Sequence, residues 1–268
     1  MKCCFTVVSI ACVLVLGSSA GGQIIPCLQG FNGGIMYGIE GSKNAPFSGI
    51  VKSSFEQKLA DGNTIHGVTR THQARDASGR TMTEMAQGCV RGEDGQMHER
   101  LSVNVNDPVA RTNMNWQVGA DDQPKVVIVF HQPDPPPRRE RTPEEIARQQ
   151  KLMELARTRQ ALDRKEYKTE DLGTKQINGV TARGSRSTRT IPAGEEGNDQ
   201  PLVVINETWR SKDLGLMVMA ISDDPRRGRT TTEYEELNLG EPDGALFVPP
   251  EGYKVQEQPQ TGMIGTVM

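Results

Sequence analysis

Along this chain, short runs of β-prone residues are separated at regular intervals by turn formers. Ile50, Val51, Phe55 and Leu59 lead into Asp61-Gly62-Asn63, and Ile65 and Val68 follow. Asp-Gly between two such runs predicts a hairpin, because glycine accepts the positive φ of a tight turn. A second turn is expected at Asp76-Ala77-Ser78-Gly79, followed by a strand from Thr81 to Met85. Leu101, Val103 and Val105 alternate with polar residues and so predict a half-buried strand, ended by Asp107-Pro108. Residues 113–118 and 125–130 read as two more strands. The second of these contains the unbroken run Val126 to Phe130, which predicts burial on both faces or a later cover by a helix.

The pattern changes at Pro133-Asp134-Pro135-Pro136-Pro137, where proline cannot continue a ladder. Thr142-Pro143-Glu144-Glu145 then has the form of a capping box with proline at the first helical position, predicting a helix over 143–164. Leu152, Leu155 and Leu162 share one side of it, whereas Ile146 and Met153 lie away from them, so the apolar stripe is narrow. Residues 138–165 carry nine Lys or Arg against five Asp or Glu. That composition reads as a solvated linker helix, with a membrane-surface or partner-docking face as the alternative. Strands resume at 171–177, with Asn178-Gly179 as a preferred type I′ pair leading into 180–191, and continue at 202–209, 216–222 and 230–237. The same kind of meander thus lies on both sides of one helix.

Composition supports a turn-rich β protein: 28 Gly and 16 Pro in 268 residues, with 4% aromatics. The formal net charge of -3 leaves no basic excess to hold a nucleic-acid backbone, so nucleic acid is not expected as a partner. The N-terminus carries Lys2, an apolar run from Cys3 to Leu16 and then small residues, the form of a secretory signal with cleavage near Ala20. Cys12 and Cys27 lack the Leu-small-small triplet of a lipid-anchor site. Removal of the leader leaves Cys27 and Cys89, which an oxidising compartment would allow to bridge; the alternative is two unrelated thiols. A bridge closing a loop of about 60 residues stabilises by about 4 kcal/mol in the chain-entropy model.

The segments Phe55 to Glu84, Asp171 to Asn198 (with Ile177-Asn178-Gly179-Val180 and Ile191-Pro192-Ala193-Gly194) and Glu241 to Tyr253 resemble a family of uncharacterised secreted bacterial proteins. Through it the chain is more distantly similar to the half-barrel fold of periplasmic lipoprotein carriers and of the sigma-factor regulator that senses envelope stress (LolA/RseB-like). The resemblance implies a curved antiparallel sheet whose apolar concave face receives acyl chains or lipoprotein. It brings no catalytic residues. The carriers use several helices as a lid, and this sequence shows one.

Candidate chemistry is sparse. His66, His72, His98 and His131 show no ligand spacing for zinc. Gly184-Ser185-Arg186-Ser187 lacks the second glycine of a nucleophile elbow, and Cys89 has no helix start before it to lower its pKa. Asp121-Asp122 and Asp223-Asp224 lack the spaced ligands of a calcium loop and read as turn carboxylates. The loop at 193–199 has three acidic residues that would repel phosphate, and Asn206-Glu207-Thr208, a glycosylation pattern, falls in an expected strand. Trp116 and Trp209 are the largest apolar side chains; they read as core anchors, or as the lining of a ligand groove if they face a concave surface.

The sequence therefore predicts a mainly β (α+β) protein, a curved antiparallel sheet or half-barrel with one long charged helix. Its expected organisation is a signal peptide (1–20), a glycine-rich lead-in (21–45), a first meander (46–132), a proline-rich linker and helix (133–166), a second meander (167–255) in the same sheet, and a tail (256–268). The expected role is non-catalytic binding in the periplasm or outside the cell, of a lipid acyl chain or an extended polypeptide, without cofactor or metal and with at most peripheral membrane contact. The alternative is a structural or interaction module of the envelope with a filled sheet and a docking helix. A hydrolase with dispersed residues is a third reading.

Overall fold

The computed structural model describes residues 45–92, 94–119, 125–133 and 140–259. The expected leader, most of the lead-in with Cys27, Asp121-Asp122, residues 134–139, the tail beyond 259 and the side chain of Leu162 lie outside the described residues.

The first meander comprises β1 (Phe47–Lys58), β2 (Thr64–Arg75), β3 (Thr81–Arg91), β4 (Met97–Asp107), β5 (Thr112–Val118) and β6 (Val126–His131). After α1 (Pro143–Glu166) come β7 (Tyr167–Ile177), β8 (Val180–Ile191), β9 (Leu202–Ser211), β10 (Leu216–Asp224) and β11 (Gly228–Leu239), then a 3-10 turn at Gly244–Phe247 and β12 (Lys254–Pro259). All twelve strands form one curved, unclosed sheet in the order β12-β6-β5-β4-β3-β2-β1-β11-β10-β9-β8-β7. The two meanders join where β1 pairs antiparallel with β11, from Phe47 opposite Leu239 to Glu56 opposite Arg229. The hydroxyls of Ser53 and Thr232 seal this seam with a buried hydrogen bond of 2.7 Å.

A twelve-stranded open sheet has to curl, and four bulges show where it does so. Extra residues stand at Glu235 in β11, Gln87 in β3, Val218 in β10 and Leu172 in β7. The β7–β8 hairpin runs past the end of β9 and folds back until the Asn178 side chain donates to the carbonyl of Tyr234 on β11.

The register places two cores on opposite faces of this sheet. Opposed residues share a face and successive residues alternate. Phe47 opposes Arg75, so both point one way, and Ala74 points the other. On the Ala74 side, Met82, Val105, Met114 and Val129 are direct cross-strand neighbours in turn, with Val103 opposite Trp116. The C-terminal segment crosses this side and drives Phe247 into it, 1% exposed. The crossing is tied down at each step. Glu241 accepts from the Ala77 amide at 3.0 Å, Arg80 stacks over the Phe247 ring at 4.9 Å, and the Tyr253 hydroxyl donates to the Gln117 carbonyl at 2.7 Å. On the Phe47 side, Val51, Tyr234, Leu216, Val218, Trp209, Val180 and Ala182 pack together.

α1 begins as the sequence predicts: the Glu145 amide donates to Thr142 Oγ1 at 3.3 Å, the Thr142 amide donates to Glu145 Oε2 at 3.0 Å, and Pro143 is the first helical residue. Among the described residues its main packing partner is β7, and Ile146, Leu152, Met153 and Leu155 stay exposed. The run Val126 to Phe130 is therefore not covered by the helix. Val127 and Val129 are buried under the C-terminal crossing, and the alternate residues are half-buried. The expected tail also needs correction at its start. Residues 254–259 form β12, which pairs parallel with β6. Backbone pairing and a contact between Glu257 and His131 hold this edge strand, so its sequence lacks an apolar alternation that would announce it.

Candidate functional site

Trp116 and Trp209, which sequence reading sets apart as groove candidates, stand in different cores, 5% and 6% exposed. Trp116 packs beneath the C-terminal crossing. The Trp209 ring lies flat over Gly184, where a Cβ would approach it to 2.7 Å, and the Lys175 ammonium sits 3.8 Å from the ring centroid. Its indole N–H donates to Glu207 at 2.7 Å. Burial pushes the Glu207 carboxyl up, but this hydrogen bond and the one from Arg186 outweigh it and hold the group below the usual carboxylate range. Trp116 lies in the core beneath the C-terminal crossing, and Trp209 in the core that β1 shares with the second meander. The single apolar concave face implied by the resemblance is not formed by these two cores, because they lie on opposite sides.

The remaining surface is the other face of β2–β6. Its cross-strand rows run Thr71, Met85, Ser102 and Gln117, then Gln73, Thr83, Asn104, Asn115 and Ile128. The side chains are uncharged, and most are half-buried by one another. Asn104 Nδ2 donates to the side-chain oxygens of Asn113 at 3.0 Å and Asn115 at 2.8 Å, and Asn115 donates to Asn113 at 2.8 Å. This ladder fixes the amides in place, a rigid array of donors and acceptors. Gln73, at the edge nearest the seam, accepts from the Tyr234 hydroxyl at 2.7 Å. Among the described residues, the helix and the 3-10 turn both pack elsewhere, α1 on β7 and the turn on the opposite side of β3.

The other sequence candidates are scattered. His72 faces Glu84 at 3.8 Å, His98 pairs with Asp94 at 3.0 Å, and His131 with Glu257, on separate parts of the sheet. Among the described residues no group of three His, Cys, Asp or Glu could hold a metal. Ser185 lies in β8 with its hydroxyl 3.1 Å from that of Thr208. Asp223 pairs with Arg229 and Asp224 with Arg226, while Glu195 and Glu196 in the acidic loop pair with Arg189. Cys89 is disulfide-bonded. A shallow cavity of about 380 Å³ on β7–β9, lined by Thr169, Asp171, Arg183, Ser185, Thr208 and Arg210, holds the Arg183–Asp171 ion pair. The polar face of β2–β6 was not singled out in the sequence; Asn104, Asn113 and Asn115 at alternate positions of two adjacent strands were its one visible sign.

No family model and no curated protein matches this sequence. Among solved structures, the chain is similar to the MucA/MucB complex of Pseudomonas aeruginosa, at 14% identity over 79% of this chain and 58% of that one, TM-score 0.31. It is similar to an uncharacterised conserved protein from Thermus thermophilus, at 8% identity over 82% and 94%, TM-score 0.37. A LolA-superfamily protein from Nitrosomonas europaea aligns at 9% identity over 76% and 90%, TM-score 0.23. The chain spans less than three fifths of the MucB chains it matches in the complexes.

Proposed function

We propose that this chain is a non-catalytic binding protein of the cell envelope that holds an extended polypeptide against the uncharged face of β2–β6. The observation that carries this reading is the contrast between the two sides of the first meander. One is apolar and sealed by Phe247; the other is a fixed array of amides and hydroxyls with no described element over it. An extended backbone presents donors and acceptors at strand spacing, which such rows can satisfy, whereas an acyl chain would bury without a partner the donor and acceptor capacity that the ladder leaves over, at a cost of about 1–3 kcal/mol for each group so buried. The leader-like N-terminus and the resemblance to secreted proteins supply the compartment. The lipid carrier is thus the weaker form of the reading.

The test uses fluorescently labelled, reduced and carboxymethylated α-lactalbumin, a polypeptide that cannot fold. The native chain is expected to bind it, and Thr83→Lys and Gln117→Lys, which place a long cation on the face outside the asparagine ladder, are expected to weaken binding at least tenfold with an unchanged melting temperature. Binding by both variants at the native affinity would overturn the assignment of the face.

A further inference from the structure

We propose that α1 is a contact surface for an anionic phospholipid membrane, which it meets at the level of the headgroups. This surface is independent of the uncharged face of β2–β6, from which it differs in element and in occupant. Arg148, Lys151, Leu152, Leu155 and Arg159 stand at i, i+3, i+4, i+7 and i+11, so they share one side of the helix over about 17 Å, at about 1.5 Å per residue. All five are exposed, the two leucines at 59% each. Of the acidic residues of α1 whose side chains are described, Glu144 and Glu145 lie in the first turn, and Glu145 is engaged in the capping box. Glu154 lies on another side.

Two features mark this side as a contact for something outside the chain. A polar helix standing alone in solvent is stabilised by many ion pairs between residues three or four apart. Glu144 and Arg148 have that spacing without forming a pair, and the side chains of Arg148, Lys151, Arg157 and Arg159 have no ion pair or hydrogen bond among the described residues. The second feature is the division of charge. Residues 138–165 carry a formal +4 in a chain of -3, so the remainder carries -7. A molecule divided in this way turns its helix toward an anionic plane and holds the rest of itself away.

The centre of a protein interface is depleted of charge, whereas Arg148, Lys151 and Arg159 surround the two leucines here. A membrane surface suits that mixture. The long cationic side chains lay their stems along apolar surface and reach phosphates with their heads, and the leucines between them enter the headgroup boundary. Because leucines and cations are interleaved, the helix rests on the surface and does not sink into the hydrocarbon; among the described residues no helix is long and apolar enough to cross it. Cations spread along the helix meet many headgroups at once, which a single lipid molecule does not offer.

The experiment sediments the exported chain with phosphatidylcholine vesicles, with and without phosphatidylglycerol. Binding is expected only where phosphatidylglycerol is present, and it should be lost as sodium chloride is raised. Arg148→Gln, Lys151→Gln and Arg159→Gln combined should weaken it at least tenfold with the melting temperature unchanged, because all three side chains are exposed. Arg148→Lys with Arg159→Lys keeps the charge and should bind as the native chain does. Absence of binding to the anionic vesicles would overturn the proposal, as would undiminished binding by the triple variant. Binding to polyglutamate through the same three residues, with none to vesicles, would overturn the membrane in favour of an acidic polypeptide.

Discussion

Arg75 donates through Nη2 to the carbonyl oxygen of Leu214 at 2.8 Å, tying the end of β2 to the β9–β10 turn of the other meander. The same side chain donates twice to the Ala45 carbonyl, and its guanidinium lies over the Phe47 ring at 5.2 Å. It is fully buried, so the seam between the meanders is built around it. Burial lowers its pKa from the ordinary arginine value, and the nearby Tyr234 opposes that shift.

Replacing Arg75 leaves two buried carbonyls without these donors and a hole beside Phe47. Arg75→Met is therefore expected to cost about 3–5 kcal/mol. Urea denaturation followed by far-UV circular dichroism checks this. A loss below about 1 kcal/mol would show that the seam does not depend on this residue.

Trp209 and Gly184 give a second test. A methyl at residue 184 cannot coexist with the indole ring where it stands, so Gly184→Ala should displace the ring and cost about 1–3 kcal/mol of overpacking. Tryptophan fluorescence should shift to the red as the ring leaves its buried place, while Gly179, at the β7–β8 turn with open space around its Cα, should show no such shift when changed to Asn.

Acid stability follows from the β2–β3 turn. The Asp76 carboxylate, 2% exposed, accepts from Ser78 Oγ and the Arg80 amide at 2.8 Å each and from Arg80 Nε at 2.6 Å. Burial pushes its pKa up, but these hydrogen bonds outweigh it and hold it below the usual range. The folded value thus lies below the unfolded one of about 3.9. The resulting stability is fully present above that pH and is lost as pH falls through the folded value. Asp224, held down by Arg226, acts with the same sign. Stability measured from about pH 6 to about pH 2.5 should fall below about pH 4, and Asp76→Asn should flatten the fall while costing about 1–3 kcal/mol at about pH 7.

Cys27 is proposed as the disulfide partner of Cys89. Peptide mapping of the exported chain without reductant should yield one linked pair containing both residues, and Cys27→Ser should lower stability by about 4 kcal/mol. A map pairing Cys89 with any other cysteine would contradict the proposal.

Much of the local structure can be read directly from the residues. Asp61-Gly62 and Asn178-Gly179 announce their hairpins, and Thr142-Pro143-Glu144-Glu145 announces the helix start, because each signal acts over a few residues. What joins distant parts is silent. Nothing in Ser53 or Thr232 foretells their hydrogen bond, and the polar composition of 254–259 hides β12. Trp116 and Trp209 stand out in the sequence as large apolar side chains, but alternation within a strand cannot say that their two cores occupy opposite faces; that follows only from the pairing of Phe47 with Arg75. The bulge at Gln87, which brings Gly88 opposite Arg100, is a register that no local pattern encodes.

The central claim is that the apolar faces are closed by the chain itself and that the uncharged face of β2–β6 binds. Native mass spectrometry of the exported chain, incubated in parallel with an envelope lipid extract and with the carboxymethylated polypeptide, tests it most directly. The account predicts a polypeptide adduct and no retained lipid. A stable acyl-lipid adduct, with no polypeptide bound, would contradict it.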